Sequence, residues 1–556
     1  MSSINDIDEI DNINQRLSEI SEPKEKKNPK RITYIILSIG GILLIIIIIV
    51  FILILLKKPQ KSIIIAKYEA LNENEEIKLF NSNILGAISL LKLDNNETNI
   101  SNIITLEKGI HEITISFNKT LESTEEMFKD CINLIDINFT KFYTKKIENM
   151  SGMFKGCISL TSINLSPFDN DIKNTSYLFY NCHSIKNITF EKFSSSNIVD
   201  MKYMFSGCKS IISLDLKQFN TKSVKEIKYM FSGCEQLKNL EIGINFIINN
   251  IGDISGLFND CLELTKINIT TFETSKTKNM SHIFQNCIKL TSIDLSNIKT
   301  SNVIDMNNMF SDCFDLASLD LTNFDTSKVE YMNNLFSGCL NIQNLNLEKF
   351  NTSKVKNMNS MFYNCRSVKS LYLSNFDTSE VTSMNRMFQF CNILEQLDLS
   401  NFNTSMVTDM SYMIANCPRL TSIDLSNFNT KNVNNFQRMF YFDSSLLNLN
   451  LSYFDTSNLT GIEYMFYGCS SLTSLNLSNF NTEKVMSFTG IFSNCNNLKL
   501  IDIRNFSSEN LINRNTTYIF LGRNTNGTLY YNSKLFDEEL INITFEGWEK
   551  YDMIKV

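Results

Sequence analysis

Fourteen cysteines recur along this 556-residue chain at an almost constant spacing, and this period constrains the fold more than any other feature. They are Cys131, Cys157, Cys182, Cys208, Cys234, Cys261, Cys287, Cys313, Cys339, Cys365, Cys391, Cys417, Cys469 and Cys495. Successive steps are 26 residues with single slips to 25 and 27, and Asp443 stands at the middle of one gap of 52. A fixed period of this length is typical of a solenoid. The sequence therefore predicts about fifteen units of 26 residues over 121–510.

Residues 365–391 show the pattern within one unit. Leu371 and Leu373 flank an outward position, which is typical of a short half-buried strand, and the stretch 375–379 is rich in turn-forming residues. Apolar residues at steps of three and four then predict a short helical or 3₁₀ segment: Val381, Met384, Met387, Phe388 and Cys391. One unit cannot bury its apolar face alone, so stacked units predict an α/β-type repeat solenoid with one parallel sheet.

Both ends of such a solenoid need a cap, because the last coil exposes its core and a strand edge. Residues 62–120 contain apolar stretches, at 63–68 and 110–116, outside the register of the repeat. They predict a small β-rich module that also serves as the N-terminal cap. Residues 511–556 leave the register as well, and we expect Trp548, the single tryptophan, to pack in a C-terminal cap.

The segment before the repeats has the composition of a membrane anchor. Residues 1–31 are polar and charged without apolar periodicity, which predicts a disordered tail. The 25 positions from Ile32 to Leu56 carry no charge, and a bilayer core needs about 20 apolar residues. The segment is longer than the apolar region of a cleavable signal and starts later in the chain. The sequence therefore predicts an uncleaved transmembrane helix.

The basic residues around this span predict its orientation. Five precede it, between positions 24 and 31, and three follow it, between 57 and 61, which favours a cytoplasmic N-terminus. Several Asn-x-Ser/Thr sequons, including Asn96, Asn118, Asn351 and Asn403, agree with repeats outside the cell that carry glycans. We therefore expect a single-pass type II protein of the cell membrane with extracellular repeats.

The repeat resembles that of the BspA-like leucine-rich surface proteins of bacteria and protists. The segments that carry the resemblance are Ser-Met-Phe-Tyr-Asn-Cys at 360–365 and Leu-Asp-Leu-Ser-Asn-Phe-Asn-Thr-Ser at 397–405. It covers roughly 121–510 and fades at 242–252. It implies a leucine-rich-repeat-like right-handed coil, displayed outside the cell, that works by binding. Adhesion to host cells or matrix is the role usually proposed for that family, and no enzyme activity is implied.

The cysteines have two interpretations. An exported protein often forms disulfides, but equivalent cysteines in stacked coils have parallel Cα–Cβ vectors that do not aim their sulfur atoms at each other. We therefore favour a ladder of buried thiols that act as small apolar groups. Its clearest members are Cys157, Cys208, Cys287, Cys313, Cys339, Cys365 and Cys391. No Cys-x₂-Cys spacing occurs, so the sequence predicts no zinc site.

Other sites have little support in the sequence. None of His111, His183 and His282 shares a local motif with a nucleophile or an acid, and no glycine-rich phosphate loop occurs. The formal net charge of −7 points away from nucleic acid. We therefore expect no catalysis, no small-molecule cofactor and no nucleic-acid partner.

The outward position of each predicted strand is mostly Asp or Asn and forms a polar, partly acidic stripe. Its candidate ligand-binding residues are Asp215, Asp294, Asp320, Tyr372, Asp398, Asp424 and Asp502. One interpretation is a solvated face whose charges deter edge-to-edge aggregation. The other is a repeating surface for a polyhydroxylated, cationic or protein ligand, in which weak sites add up through multivalency.

These observations leave three functions open. The first is a surface-displayed protein that binds an extracellular protein or glycan. The second is a surface coat or spacer without a specific ligand. The third is an enzyme with its site in 62–120 or in the C-terminal cap, which no constellation of residues supports.

Overall fold

The computed structural model describes residues 62–143, 147–168, 171–512 and 526–554, together with residues 41, 46, 47 and 519. The chain divides into two compact units, Met1–Gln60 and Lys61–Val556. The predicted tail at 1–31 and the predicted span at 32–56 lie outside the described residues, apart from the three isolated positions. Among the described residues, no helix combines the length and apolarity that crossing a bilayer requires.

The second unit contains a parallel β-solenoid of about fourteen turns. Residues at equivalent positions of successive coils stack into columns that fill the interior of the solenoid. Almost every repeated Leu, Met, Val, Phe and Cys is buried. In the phenylalanine column, the ring centroids of Phe310 and Phe336 lie 6.0 Å apart, and those of Phe336 and Phe362 lie 5.9 Å apart. The repeat therefore builds one continuous core from contacts between neighbouring coils.

The strands of the coils are short. They are β7 (Leu134–Lys141), β8 (Ser162–Asn164), β9 (Asn187–Thr189), β10 (Ser213–Leu216), β11 (Asn239–Ile242), β12 (Ser370–Leu371), β13 (Gln396–Leu397), β14 (Ser474–Asn476) and β15 (Leu500–Asp502). In the described part they pair in parallel as β8–β9, β10–β11, β12–β13 and β14–β15, each pair in a separate sheet. The predicted parallel pairing is therefore confirmed, but the strands form separate short sheets and not the single sheet that the repeat predicts.

The prediction of a helical or 3₁₀ segment after the strand is wrong, because the chain forms consecutive turns at these positions. In the coil of Met384, Arg386 and Phe390 have left-handed backbone conformations, with φ of 58° and 64°. A right-handed helix cannot include such residues. Two left-handed residues occupy these same positions in all fifteen repeats, and the second immediately precedes the cysteine or Asp443. Apolar steps of three and four therefore mark a pair of turns here.

Hydrogen bonds to the next coil hold these turns in place. The donor–acceptor pairs that link one coil to the next are Met384 N–Asp409 O (3.1 Å), Arg386 N–Ser411 O (3.0 Å), Phe388 N–Met413 O (2.8 Å) and Phe390 N–Ala415 O (2.9 Å). Of the amides between them, those of Met387 and Gln389 close turns within the coil, onto the Met384 and Arg386 carbonyls at 3.2 Å each. The Asn385 amide donates to the Asn359 side chain of the preceding coil at 3.1 Å. The turn segment thus satisfies its backbone groups largely without helix or strand.

The N-terminal module at 62–120 consists of antiparallel strands. They are β1 (Ile63–Ala70), β2 (Glu75–Lys78), β3 (Ile88–Leu93), β4 (Asn96–Thr98), β5 (Ile103–Leu106) and β6 (Gly109–Phe117), with a 3₁₀ helix at Ser82–Ala87. One sheet has the order β4-β3-β6-β1-β7, and β2 pairs with β5. Because β1 pairs antiparallel with β7 of the first coil, the module covers the edge of that strand.

The C-terminal segment continues the sheet of β15 with two more parallel strands, β16 (Thr528–Tyr531) and β17 (Glu549–Asp552). Between them lies the helix α1 (Glu538–Thr544), capped by the Asp537 side chain, which accepts a hydrogen bond from the Glu539 amide at 2.8 Å. Trp548 is buried and packs edge-on against Phe545, with ring centroids 5.8 Å apart. This segment closes the last coil with aromatic side chains.

Candidate binding surfaces

The outward positions of the strands form one long face, which we call the strand face. Six of the seven predicted stripe residues are exposed on it: Asp215, Asp294, Asp320, Tyr372, Asp398 and Asp424. Tyr372 is 69% exposed and is an aromatic residue in a column that is otherwise mostly Asp and Asn. The structure therefore brings these six residues onto a common surface.

Asp and Asn recur in this column because their side chains end the strand. Each carboxylate accepts a hydrogen bond from the amide two residues later, which bends the chain into the next corner of the coil. The N–O distances are 3.0 Å for Asp294–Ser296, 3.0 Å for Asp320–Thr322, 2.9 Å for Asp398–Ser400 and 2.9 Å for Asp424–Ser426. Hydrogen bonds from the amide or hydroxyl of that residue lower the pKa of all four carboxyl groups.

Asp502 does not belong to the exposed stripe, contrary to the sequence prediction. It is only 5% exposed, because β16 lies beside β15 and places Tyr530 next to it. Its carboxylate accepts hydrogen bonds from the Arg504 guanidinium, with Nε at 3.0 Å from Oδ1 and 3.1 Å from Oδ2. The C-terminal cap thus buries the carboxylate of the last stripe residue, which pairs with a partly exposed arginine.

The strand face has a depression of about 310 Å³ over β7, β8 and β9. Its polar lining comes from Asp136, Asn138, Ser162, Asn164, Asn187 and Thr189, and its apolar lining from Ile137, Phe139, Ile163 and Pro167. Asp136 also lies 3.8 Å from the Lys67 ammonium of the N-terminal module. A concave site with several polar groups around an apolar floor has the general form of a ligand site. The repeat pattern alone does not indicate this depression, because its residues stand at ordinary repeat positions.

The predicted thiol ladder lies inside the solenoid. All fourteen cysteines are buried and free, including Cys157, Cys208, Cys287, Cys313, Cys339, Cys365 and Cys391. In these seven, the thiol lies 3.0–3.3 Å from a phenylalanine carbonyl oxygen of the preceding coil, to which it donates. Burial raises the pKa of the Cys391 thiol to about 12, so it stays protonated and a poor nucleophile at neutral pH.

Asp443 replaces one thiol of the ladder and is fully buried. Its Oδ1 accepts a hydrogen bond from the Cys417 amide at 2.7 Å, and among the described residues its Oδ2 has no hydrogen-bond partner. Burial raises the pKa of this carboxyl group well above its ordinary value. The protein therefore holds a carboxyl group in its core at the point where the cysteine period skips.

The turns form a second long face, the turn face, which the sequence did not single out. Side chains at the first left-handed position point outward and stack from coil to coil. Tyr177, Tyr203 and Tyr229 form one column, with ring centroids 4.9 and 5.2 Å apart. The column ends at Gly256, where a Cβ atom would lie 2.0 Å from the Tyr229 ring. Tyrosines repeated at the unit spacing were the sequence signal for it.

A second column on the turn face mixes arginine with tyrosine. Arg386, Tyr412, Arg438 and Tyr464 occupy the first left-handed position in four consecutive coils. The Arg386 guanidinium carbon lies 4.5 Å from the centroid of Tyr412, and that of Arg438 lies 4.6 Å from Tyr464. Arginine over an aromatic face is an attractive cation–π contact. This column also ends at a glycine, Gly490.

Metal chemistry has no visible site in the described part of the chain. No group of three or more His, Cys, Asp or Glu side chains stands there in an arrangement that could hold a metal ion. His111 instead bonds the Asp94 carboxylate at 2.8 Å and the Glu107 carbonyl at 2.9 Å. The hydrogen bond to Asp94 raises the pKa of this imidazole.

Comparison with solved structures gives remote likenesses, three of which follow. The pneumococcal vaccine antigen PcpA is 16% identical, over 71% of this chain and 77% of its own, with a TM-score of 0.27. The functional domain of InlJ from Listeria monocytogenes, described as including a cysteine ladder, is 11% identical over 83% and 84%, with a TM-score of 0.21. TLR13 in complex with ssRNA13 is 16% identical over 65% and 49%, with a TM-score of 0.19.

A search of the curated proteins finds no match to the sequence. One family, described as "Mycoplasma protein of unknown function, DUF285", matches the repeats five times. The matched residues are 98–209, 164–266, 252–372, 332–442 and 419–528. Together they span 98–528, which is most of the chain and includes nearly the whole solenoid. The chain therefore belongs to the DUF285 family.

Proposed function

We propose that this protein is a non-catalytic binding protein of the cell surface that attaches to an extracellular protein or glycan through its strand face. Its membership of a family built from this repeat supports a role carried by the repeats themselves. The resemblance of the unit to BspA-like surface proteins supports adhesion as that role. Among the two classes of ligand, the geometry favours a glycan.

The observation that carries this proposal is the depression over β7, β8 and β9. Asp136, Asn164 and Asn187 offer carboxylate and amide groups from three consecutive coils. Such groups accept and donate the hydrogen bonds that sugar hydroxyls make. Pro167 adds apolar surface, against which the C–H face of a sugar ring packs. The volume of about 310 Å³ lies at the lower end for small-ligand sites.

Binding of the full chain to a glycan array tests this proposal, with one pair of matched variants. Asn187→Arg places a long side chain in the depression. Asn344→Arg makes the same change at the same repeat position of a distant coil, where the residue is also exposed. We expect Asn187→Arg to weaken binding about tenfold, equivalent to about 1.4 kcal/mol, and Asn344→Arg to leave it within about twofold. A wild-type chain that binds no glycan, or two variants with equal effects, would contradict the depression as the site.

The second function, a coat or spacer without a specific ligand, is favoured by the hydrogen bonds of the stripe. These bonds explain why Asp and Asn recur on the strand face without any ligand. Serine at positions 294, 320, 398 and 424 distinguishes the two functions. If the wild-type chain binds host cells or glycans and the quadruple variant binds equally well, the stripe has only its structural role.

The proposal also places the repeats outside the cell, anchored as a type II protein through the segment at 32–56. The charge difference around that segment and the sequons support this topology. Protease added to intact cells should remove the repeats. Asn351 and Asn403 should carry glycans when the protein is produced in cells that glycosylate such sequons. Repeats that resist protease until the cells are lysed would contradict the extracellular placement.

A further inference from the structure

The turn face of the coils between Arg386 and Tyr467 has the composition of a protein-binding site. We define the arginine–tyrosine patch by Arg386, Tyr412, Arg438, Phe442, Tyr464 and Tyr467, all of them partly or largely exposed. Arginine and tyrosine, with tryptophan, dominate the residues that contribute most to protein–protein affinity. The strand face, by contrast, consists mainly of Asp, Asn, Ser and Thr. The patch is therefore the part of the solenoid surface best suited to contact another protein.

The two arginines of the patch are held in place but keep their charge available. Arg386 and Arg438 lie over the Tyr412 and Tyr464 rings, at 4.5 and 4.6 Å from the centroids. Arg438 donates to the Tyr412 hydroxyl, and Arg386 donates to the Gln389 side chain at 3.4 Å. Among the described residues, neither guanidinium forms an ion pair. Guanidinium groups that are held in place and form no ion pair within the chain can bind carboxylates of a partner.

Phe442 is the strongest sign that the patch has a function beyond folding. It stands immediately before position 443 and is left-handed, with φ of 59°. Thirteen of the fifteen residues at this position are Gly, Asn or Asp, which tolerate that conformation, and a bulky side chain there is an outlier. The ring is nevertheless 41% exposed. Strained residues of this kind cluster at functional sites.

The surroundings of Phe442 are built to present its ring. It packs edge-on against Tyr441 and Tyr467, with centroids 4.7 and 5.1 Å away. The next coil has Gly468 at the equivalent position, where a Cβ atom would lie 2.6 Å from the Phe442 ring. The glycine thus makes room for the ring, which stands at the surface beside Tyr467.

The same chain carries a surface of opposite charge with the same repeat distance. Asp294 and Asp320 are exposed in adjacent coils of the strand face, and so are Asp398 and Asp424. The two arginines stand two coils apart and the aspartates of each pair one coil apart, so one guanidinium group of a solenoid lying beside another can reach both carboxylates of a pair. We propose that the arginine–tyrosine patch of one copy binds the acidic strand face of a second copy. This goes beyond the proposed function, because the partner is the protein itself.

Such a contact joins two different faces, so it does not close on itself. Each copy in a row offers a patch to one neighbour and a strand face to the other. Guanidinium–carboxylate contacts supply orientation, and Phe442 with Tyr467 supplies aromatic surface that can pack against Tyr372 of the second copy. Because much of the attraction is between exposed charges, it weakens as salt is raised.

Capture between two differently tagged populations of the full chain tests the proposal, in a mild non-ionic detergent at low salt. Each variant is carried by both tagged populations, because a wild-type copy would still offer its own patch to the intact strand face of a variant. We expect wild-type copies to capture one another, and Arg386→Glu/Arg438→Glu copies to capture one another at least about tenfold less. Adding Asp398→Lys/Asp424→Lys to the same charge-reversed copies, in both populations, should restore capture. Tyr372 shows that a coil tolerates a residue other than Asp or Asn at this strand position. The control is Lys222→Glu/Lys225→Glu, which makes the same change of charge at exposed lysines of another coil.

Restoration by the paired charge reversals cannot come from misfolding, so it supports the contact directly. A second variant, Phe442→Asn, installs a residue that other coils use at this position and should weaken capture at least about fivefold without lowering Tm. The proposal is overturned if wild-type copies do not capture one another, if the control loses capture as much as the arginine reversals do, or if the paired reversals fail to restore it.

Discussion

The two sides of each coil are held to their neighbours in different ways. On the turn side, four consecutive alternate amides, from Met384 to Phe390, donate to the next coil, and the same pattern recurs through most of the solenoid. On the strand side, the paired segments are two to four residues long, and β12 and β13 pair through only two residues each. The turns, which look irregular in sequence, therefore connect the coils more continuously than the strands do.

Because of this difference, the positions that determine stability lie mainly on the turn side, and the positions that can vary lie mainly on the strand side. The turn side needs residues that accept left-handed conformations at two positions of every coil, so its sequence is constrained even where it is exposed. The strand side needs only an apolar residue at alternate positions and an acceptor side chain at its corner. Its remaining outward residues are free to differ from coil to coil. Equal changes should thus cost more on the turn side than on the strand side.

The largest effect is expected at Gly338 on the turn side. Its φ is 72°, and a Cβ atom there would lie 2.2 Å from Oδ1 and 3.1 Å from Cα of Asp312. Gly338→Val should lower the free energy of unfolding by about 3 kcal/mol or more, since the left-handed conformation alone costs about 1–2 kcal/mol. Ser318→Val, an exposed strand position of the preceding coil, should change it by less than about 0.5 kcal/mol. Equal urea midpoints for the two variants would refute the comparison.

An intermediate effect is expected at Asp443, in the core beside the turns. Asp443→Cys restores the thiol ladder and removes a buried oxygen without a partner, which should stabilise the protein by about 1–3 kcal/mol at pH 7. Because burial raises the pKa of this carboxyl group in the folded state, the wild type loses stability as pH rises above the unfolded value of about 3.9. The advantage of the variant should therefore grow between pH 5 and pH 8 in urea titrations. An advantage that is constant over this range would show that the carboxyl group does not titrate as its burial requires.

The smallest effect is expected on the strand face at Asp398. Asp398→Ala removes the acceptor for the Ser400 amide, whereas Asp398→Asn keeps an acceptor and removes only the charge. We expect the alanine variant to lower Tm by no more than about 2 °C and the asparagine variant to leave it unchanged or slightly higher, because repulsion from Asp424 is relieved. If calorimetry finds the two variants equal, the hydrogen bond does not explain the preference for Asp and Asn.

The sequence predicts the period, the core columns and the interior position of the cysteines, because these follow from apolar residues at fixed steps. It does not distinguish turns from a short helix, since both place Met384, Met387 and Phe388 on one side. Gly, Asn or Asp before almost every cysteine was the available signal for left-handed turns. The burial of Asp502 depends on β16, in which Tyr530 pairs with it about 28 residues later in the chain. This strand lies outside the repeat, so the repeat pattern does not predict its register.

Prediction of the binding surfaces from the sequence has a similar limit. The column of Asp and Asn is visible in the sequence, but its hydrogen bonds to the backbone two residues later are visible only in the structure. The stacked rings of Tyr177, Tyr203 and Tyr229 are spaced regularly in the sequence as well. Without coordinates, nothing shows that these rings lie outside the core and touch one another. Composition at one repeat position therefore identifies a surface column but not its role.

The hydrogen bonds between coils join residues 24 to 30 positions apart, whether they involve the turns, the buried threonines or the thiols. A coil thus recognises only the coil before it and the coil after it, and a 26-residue insertion between two of them creates no new kind of contact. Unequal recombination within the gene can add or remove whole units while both caps stay intact. Each unit changes the length of the rod by about 4.8 Å, the spacing of adjacent strands. The distance to which such a protein extends is therefore a heritable quantity that can change in single-coil steps without redesign of the fold.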